Sequence, residues 1–529
     1  MRAELPLFPY PPAASASVTS NLVIPKLHRR AVLRAVIGIL LCIIGFSLTR
    51  RESYEVQTVL ATASGCNMAT DIYEPRSGSP VGSVVLFHGL FSNKKVMSIT
   101  AEEFANQDLR VFVPDLPGHG KTPGPFSPER VESCAEALVR DLSTRKAIIP
   151  QRTLLAGHSM GGAIATRVAA DVSVAGVIAI SPAPMHPSPD VAPELLLFPT
   201  PPILVAHSLV LSASWEPASI RRIAEDLVTQ SSNTPIKYET IPRTTHVSIL
   251  FAPAAFEAIR AWTSQTLGTN PTAPFPKNTP ALGCIFGILG LVILAPPFLR
   301  EMAGGKPPEL ATAAANGPSP FLRTAIFLVV FSTLAVAALH FFVPFKFLHI
   351  FQVGYVASFL FLAGVAMLVS YRKTLPSPKS FFTLTAATSA AAAVLLLLLF
   401  GTWLELTFYE AWLTPSRWLR LLLLTVLLIP WHLAEELFLG APAAKKRVRR
   451  LAEFLAFRLI VWLILVAAIF YLHSGQFLFV LLATNILLFS LLQRMATDVI
   501  RVQTRSVAAA TIFSAILLAG FALAILPIA

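Results

Sequence analysis

LLAGHSMGGAIATRVAA, residues Leu154 to Ala170, sets a serine among glycines where an apolar run gives way to a helical pattern. The short run before Gly157 suits a strand buried on both faces, and the alanine-rich stretch after Met160 suits a helix. Gly157-His158-Ser159-Met160-Gly161 thus fits G-x-S-x-G at a strand-to-helix turn. Glycines keep such a turn clear of side chains, so the Ser159 hydroxyl projects from the sheet edge and the helix packs close behind it. The N-terminus of that helix also favours negative charge developing beside the serine.

Working outward, further Val/Ile/Leu-rich runs alternate with helical patterns. They are SVVLFHG (Ser83 to Gly89), RVFVPDLPGHG (Arg110 to Gly120), VAGVIAISPAP (Val174 to Pro184) and PPILVAHS (Pro201 to Ser208). Short apolar runs bounded by turn signals predict a doubly wound, mostly parallel α/β sheet. FHGLFSN (Phe87 to Asn93) ends one strand in a His-Gly turn, PDLPGHGKT (Pro114 to Thr122) supplies the next, and TTHVSILF places His246 in a loop before an amphipathic helix.

In this order and spacing the segments resemble the α/β-hydrolase fold family, particularly its lipase, esterase and monoacylglycerol-lipase-like members. The resemblance covers roughly Tyr54 to Thr266. It implies Ser159 as nucleophile, His246 as general base, and the backbone N–H groups of Leu90 and Met160 as the oxyanion hole. Each role answers a chemical need: a serine hydroxyl attacks only when an imidazole takes its proton, and the tetrahedral oxyanion needs preorganised donors. The acid is less plain, because Leu211 stands where the family usually has Asp. Glu216 is the nearest carboxylate in the right loop, and Asp190 is the alternative. His88, His119 and His158 belong to turns and are expected to be structural. No cofactor and no metal are expected.

The whole chain of 529 residues is 54% hydrophobic and only 13% charged, against about one quarter charged in soluble domains. Its net charge of +13 is unevenly spread: Glu52 to Leu267 holds 16 Lys and Arg against 20 Asp and Glu, so the excess belongs to the rest. Those cations flank apolar segments and form no basic patch with interleaved aromatics, which excludes nucleic acid as a partner. The organisation expected is a disordered tail over 1–28, an uncleaved signal anchor over 31–49, the α/β domain over 52–267, a Pro/Thr-rich linker over 268–280, and a membrane domain of about eight helices over 281–529. Lys and Arg concentrate in alternate loops, including Arg300 with Arg323, Arg372 with Lys373, and Lys445 to Arg450. By the positive-inside rule those loops are cytoplasmic and the α/β domain is outside. Glu405 and Glu410, with Arg417 and Arg420, fall in an intervening loop.

Of four cysteines, Cys66 and Cys134 lie in the α/β domain, where a disulfide is open to them if the domain is exported. His432, Glu435 and Glu436 in IPWHLAEELFLG resemble the EExxxR motif of CAAX-type intramembrane proteases, but Gly440 occupies the arginine position. The other reading there is a helix end whose acids pair with nearby cations. ELLLF (Glu194 to Phe198) either dips into lipid, lines an acyl pocket or packs on its own domain. The function expected is ester hydrolysis on a lipid or small-ester substrate at the bilayer. A catalytically silent binding module, or an accessory domain of a transporter or scaffold, are the alternatives.

Overall fold

The computed structural model describes residues 26–49, 56–184, 197–198, 205, 207–230, 236–304, 321–342, 349–442, 447–472 and 482–528. Asp190, Glu194 to Leu196 and the tail before Lys26 lie outside them.

An eight-stranded sheet carries the α/β domain. Its strands are β1 (Val56–Ala63), β2 (Cys66–Tyr73), β3 (Gly82–Phe87), β4 (Leu109–Pro114), β5 (Thr153–His158), β6 (Gly176–Ile180), β7 (Ser208–Ala213) and β8 (Ile236–Ile241). Their order is β1-β2-β4-β3-β5-β6-β7-β8. The β1–β2 and β2–β4 pairs are antiparallel, and every later pair is parallel. The central strands are apolar on both faces because helices cover both. On one face α3 (Pro128–Thr144) and α4 (Met160–Asp171) pack against Val85, Phe87 and Leu155. On the other, α2 (Ser98–Ala105) and α6 (Pro253–Leu267) pack against Val84, Leu86 and Leu154. The helix α5 (Ala218–Gln230) joins β7 to β8. A disulfide ties Cys66 of β2 to Cys134 of α3, with Cα atoms 5.6 Å apart.

Of the expected strand PPILVAHS, Pro201 to Leu204 and Ala206 lie outside the described residues. The strand described before Glu216 is SLVLSA, Ser208–Ala213, entirely buried. The apolar run from Pro201 to Ala213 offers two windows, and the hydroxyls of Ser208 and Ser212 do not prevent burial of the second.

The remainder is helical: α1 (Lys26–Thr49), then α7 (Thr279–Met302), α8 (Phe321–Phe341), α9 (Val353–Ser370), α10 (Leu384–Thr407), α11 (Pro415–Leu439), α12 (Arg447–Leu472), α13 (Ala483–Thr504) and α14 (Val507–Ile525). Among the described residues eight helices, α1 included, are long and apolar enough to cross a membrane. The helix α13 stands outside that set because it carries Gln493, Arg494, Asp498 and Arg501. A Cβ on Gly45 of α1 would come within 2.7 Å of the Gly283 carbonyl of α7, the close approach that small residues permit between helices.

Successive helices reverse direction, so the start of α7, the end of α10, the start of α11 and the end of α14 share one end of the bundle. The α/β domain docks there. Phe126 N donates to Ile528 O at 2.5 Å and Ile528 N to Gly118 O at 3.1 Å, while Arg417 donates to the same Gly118 carbonyl at 3.0 Å. Arg300, Arg323, Arg372, Arg450 and Arg501 belong to helix ends away from the domain.

Candidate active site

Ser159 occupies the turn between β5 and α4 with φ 54° and ψ −118°, a conformation costly for a residue bearing a side chain. The flanking glycines are needed for packing. A Cβ on Gly157 would lie 2.1 Å from the Gly161 carbonyl oxygen, and one on Gly161 would lie 2.2 Å from that of Phe87. The turn is held by Ser159 N donating to Ile180 O and by Ala183 N donating to Ser159 O, both at 3.0 Å.

This topology, with a serine at the sharp turn after the fifth strand, decides the fold. The domain is an α/β-hydrolase fold. A family model described as "Alpha/beta hydrolase family" matches residues 84–282. Among solved structures, the hydrolase domain is similar to an alpha-beta serine hydrolase homologue from Coxiella burnetii, at 17% identity over 41% of this chain and 99% of that one, TM-score 0.32. It is also similar to an esterase from Pyrococcus furiosus (17% identity, 41% and 92% of the two chains, TM-score 0.35). A third is the thermostable carboxylesterase EstE1 cloned from a metagenomic library (16%, 45% and 97%, TM-score 0.35). No curated protein matches the chain.

The hydrolase domain brings Glu216 against His246. Glu216 follows β7 by three residues. Its Oε2 accepts from Ala213 N at 3.0 Å, and its Oε1 accepts from His246 Nδ1 at 2.5 Å. Its side chain is 4% exposed, that of His246 41%, so the carboxylate is buried while the imidazole reaches the open cavity. With Nδ1 donating, the lone pair falls on Nε2. Leu211 sits inside β7, whereas Glu216 lies past the strand end, within reach of His246. Among the described residues no hydrogen bond joins Ser159 to His246; both line one cavity, and such contacts commonly close only around a substrate.

The other histidines are braces. His158 Nε2 donates to the His246 carbonyl at 2.6 Å. His88 Nδ1 donates to Gly89 O at 2.8 Å while its Nε2 accepts from Leu116 N at 3.0 Å, which suits a neutral ring. Burial lowers His88 to about 4. Burial, helped by the neighbouring His246, lowers His158 to about 3. His119, also buried, is lowered as well. Leu90 follows the braced Gly89, and Met160 is the first residue of α4, so its N–H has no partner within that helix.

The cavity that holds Ser159, His246, Glu216 and Leu90 has a volume of about 1140 Å3 and continues into the bundle. Ile288, Val292, Ala295 and Pro296 of α7 line it on one side, and Leu396, Leu397 and Leu404 of α10 on another. Leu197, at the edge of the ELLLF stretch, lines it too, whereas Phe198 packs in the domain core under Arg167. This extension was not legible in the sequence, which shows that the helices are apolar but not which of their faces meet the site.

Glu435 and Glu436 are absorbed in ion pairs. Arg458 of α12 meets Glu435 at 2.6 Å, His432 contacts the same carboxylate at 3.2 Å, and Arg494 of α13 meets Glu436 at 2.5 Å. The guanidinium missing at Gly440 is thus supplied from other helices. Arg450, from the basic run, pairs with Asp498 at 3.0 Å.

Proposed function

We propose that this chain is a membrane-bound serine hydrolase that cleaves carboxylic esters of lipids or other lipophilic molecules. The single observation that carries the reading is the cavity in which Ser159 and His246 share walls with α7 and α10. A soluble ester needs no such walls. An acyl chain does, since each buried methylene contributes about 0.8 kcal/mol.

In this mechanism Ser159 Oγ attacks the ester carbonyl carbon as its proton passes to His246 Nε2. The carbonyl electron pair becomes an oxyanion held by the N–H groups of Leu90 and Met160. Collapse breaks the ester C–O bond, and the alcohol leaves with the proton from His246. Water then repeats the sequence on the acyl-enzyme and releases the acid. Glu216 remains ionised, keeps His246 in the productive tautomer and stabilises the imidazolium. Export of the hydrolase domain fits two features: the Cys66–Cys134 bond, a bond of oxidising compartments, and the cationic helix ends on the far side of the bundle.

The test is labelling of the detergent-solubilised protein with a fluorophosphonate, which bonds covalently only to an activated serine. Wild type is expected to label, Ser159→Ala not at all, and Glu216→Gln about a thousandfold more slowly. Absence of wild-type labelling would leave a silent binding module; equal labelling after Ser159→Ala would remove Ser159 as nucleophile.

A further inference from the structure

We infer that the helical bundle sets the geometry of the oxyanion loop, with Tyr409 and Glu410 as positioning residues that act through Phe91 and Lys94. The inference rests on the reading of Ser159 as nucleophile. The loop begins as a tight turn, with Ser92 N donating to Gly89 O at 3.2 Å. Phe91 is the third residue of that turn and has φ 61°. Glycine or asparagine is the usual occupant of such a position, so a bulky aromatic residue there must be held from outside.

The bundle does the holding. The Phe91 ring packs against the bundle core, 6.4 Å from the ring of Phe351. Its carbonyl accepts from the hydroxyl of Tyr409, between α10 and α11, at 3.1 Å. Three residues on, the Lys94 ammonium is buried between Asp115 of the hydrolase domain, at 2.9 Å, and Glu410 of the bundle. Lys95 reaches Glu405 at 3.4 Å, and Lys121 reaches the same carboxylate at 2.9 Å. The segment after Leu90 is therefore gripped from the bundle at successive points, while the hydrolase domain itself holds Gly89 through His88 and the Lys94 backbone through Asp115. An amide pre-aimed in this way acts on the transition state and leaves ground-state binding alone.

Two variants of the full chain test this, Tyr409→Phe, which removes one hydroxyl and keeps the ring, and Glu410→Gln. With a chromogenic ester in detergent, kcat should fall about tenfold or more while KM stays within about twofold. Affinity for octylboronic acid, whose tetrahedral serine adduct occupies the oxyanion hole, should fall by the same factor. A variant that merely loosened the fold would not couple kcat to boronate affinity at constant KM. Wild-type kcat and boronate affinity in Tyr409→Phe would overturn the inference, as would kcat and KM moving together with boronate affinity unchanged. If Glu410→Gln does not fold, Tyr409→Phe decides alone. Failure of wild type to label with a fluorophosphonate would instead overturn the reading of Ser159 on which the inference stands.

Discussion

Tryptophan placed at two depths of the cavity should turn the bundle into a ruler for acyl chains. Ile288 and Val292 lie one helical turn apart on the face of α7 that lines the cavity. Four residues at about 1.5 Å each separate their levels by about 6 Å. An extended chain of C–C bonds near 1.5 Å advances about 1.3 Å per methylene, so this is about five methylenes. Wild-type kcat/KM for p-nitrophenyl esters should rise from two carbons to at least eight, by up to about 0.8 kcal/mol per methylene. In Ile288→Trp the rise should stop at a shorter chain, and in Val292→Trp about five carbons later. At lengths between the two limits the variants should differ by up to about 4 kcal/mol, approaching a thousandfold. The assay requires detergent-solubilised protein and substrates below their aggregation limits, so that micelle partitioning does not imitate selectivity. Equal losses at every chain length, acetyl included, would refute the reasoning, and so would two variants with one shared limit.

Two further expectations concern stability and orientation. His158 is held at about 3 by burial, against about 6.5 in an unfolded chain, so between those values the unfolded state binds a proton the folded state refuses and stability falls as pH falls. Glu103 and Glu410, raised to about 7 by burial, act in the opposite sense, so the informative quantity is a difference: His158→Gln should change the slope of stability with pH between 6 and 4 by about 1.4 kcal/mol per unit, and an unchanged slope in urea melts would refute it. In intact cells, with native cysteines replaced, a cysteine at the exposed Ser79 should react with a membrane-impermeant reagent and one at the exposed Lys373 should not; the reverse pattern would put the hydrolase domain inside.

The strand-to-helix turn at Ser159 was legible because its glycines answer a packing demand that few other residues meet, and the strands beside it because burial on both faces leaves unbroken apolar runs. The strand before Glu216 runs from Ser208 to Ala213, within a segment from Pro201 to Ala213 that is apolar almost throughout, where hydrophobicity alone does not choose a window. A strand read from Pro201 puts Leu211 where the acid is expected. β1, β2 and β8 were not anticipated: β1 and β8 lie at the sheet edges, largely solvent-facing, so polar residues break up the unbroken apolar runs that mark the central strands, and β2 follows β1 in a hairpin. What the bundle gives the site was also hidden. Glu405 and Glu410 read as loop charges, and only the folded chain puts them beside Lys94 and Lys95, more than 300 residues away in sequence.

The hydrogen bonds between Ile528 and the segment Gly118 to Phe126 impose a timetable on synthesis. The ribosome adds about 5–20 residues per second, so the hydrolase domain emerges tens of seconds before the strand-like partner that covers this loop. Until every intervening helix is made and packed, Phe126 N lacks its acceptor and the surface that meets the bundle is uncovered. A nascent hydrolase domain is therefore an incomplete one. Maturation of this protein should track completion of α14 rather than emergence of the serine turn, and a chain stalled before α14 should accumulate as a target for chaperones.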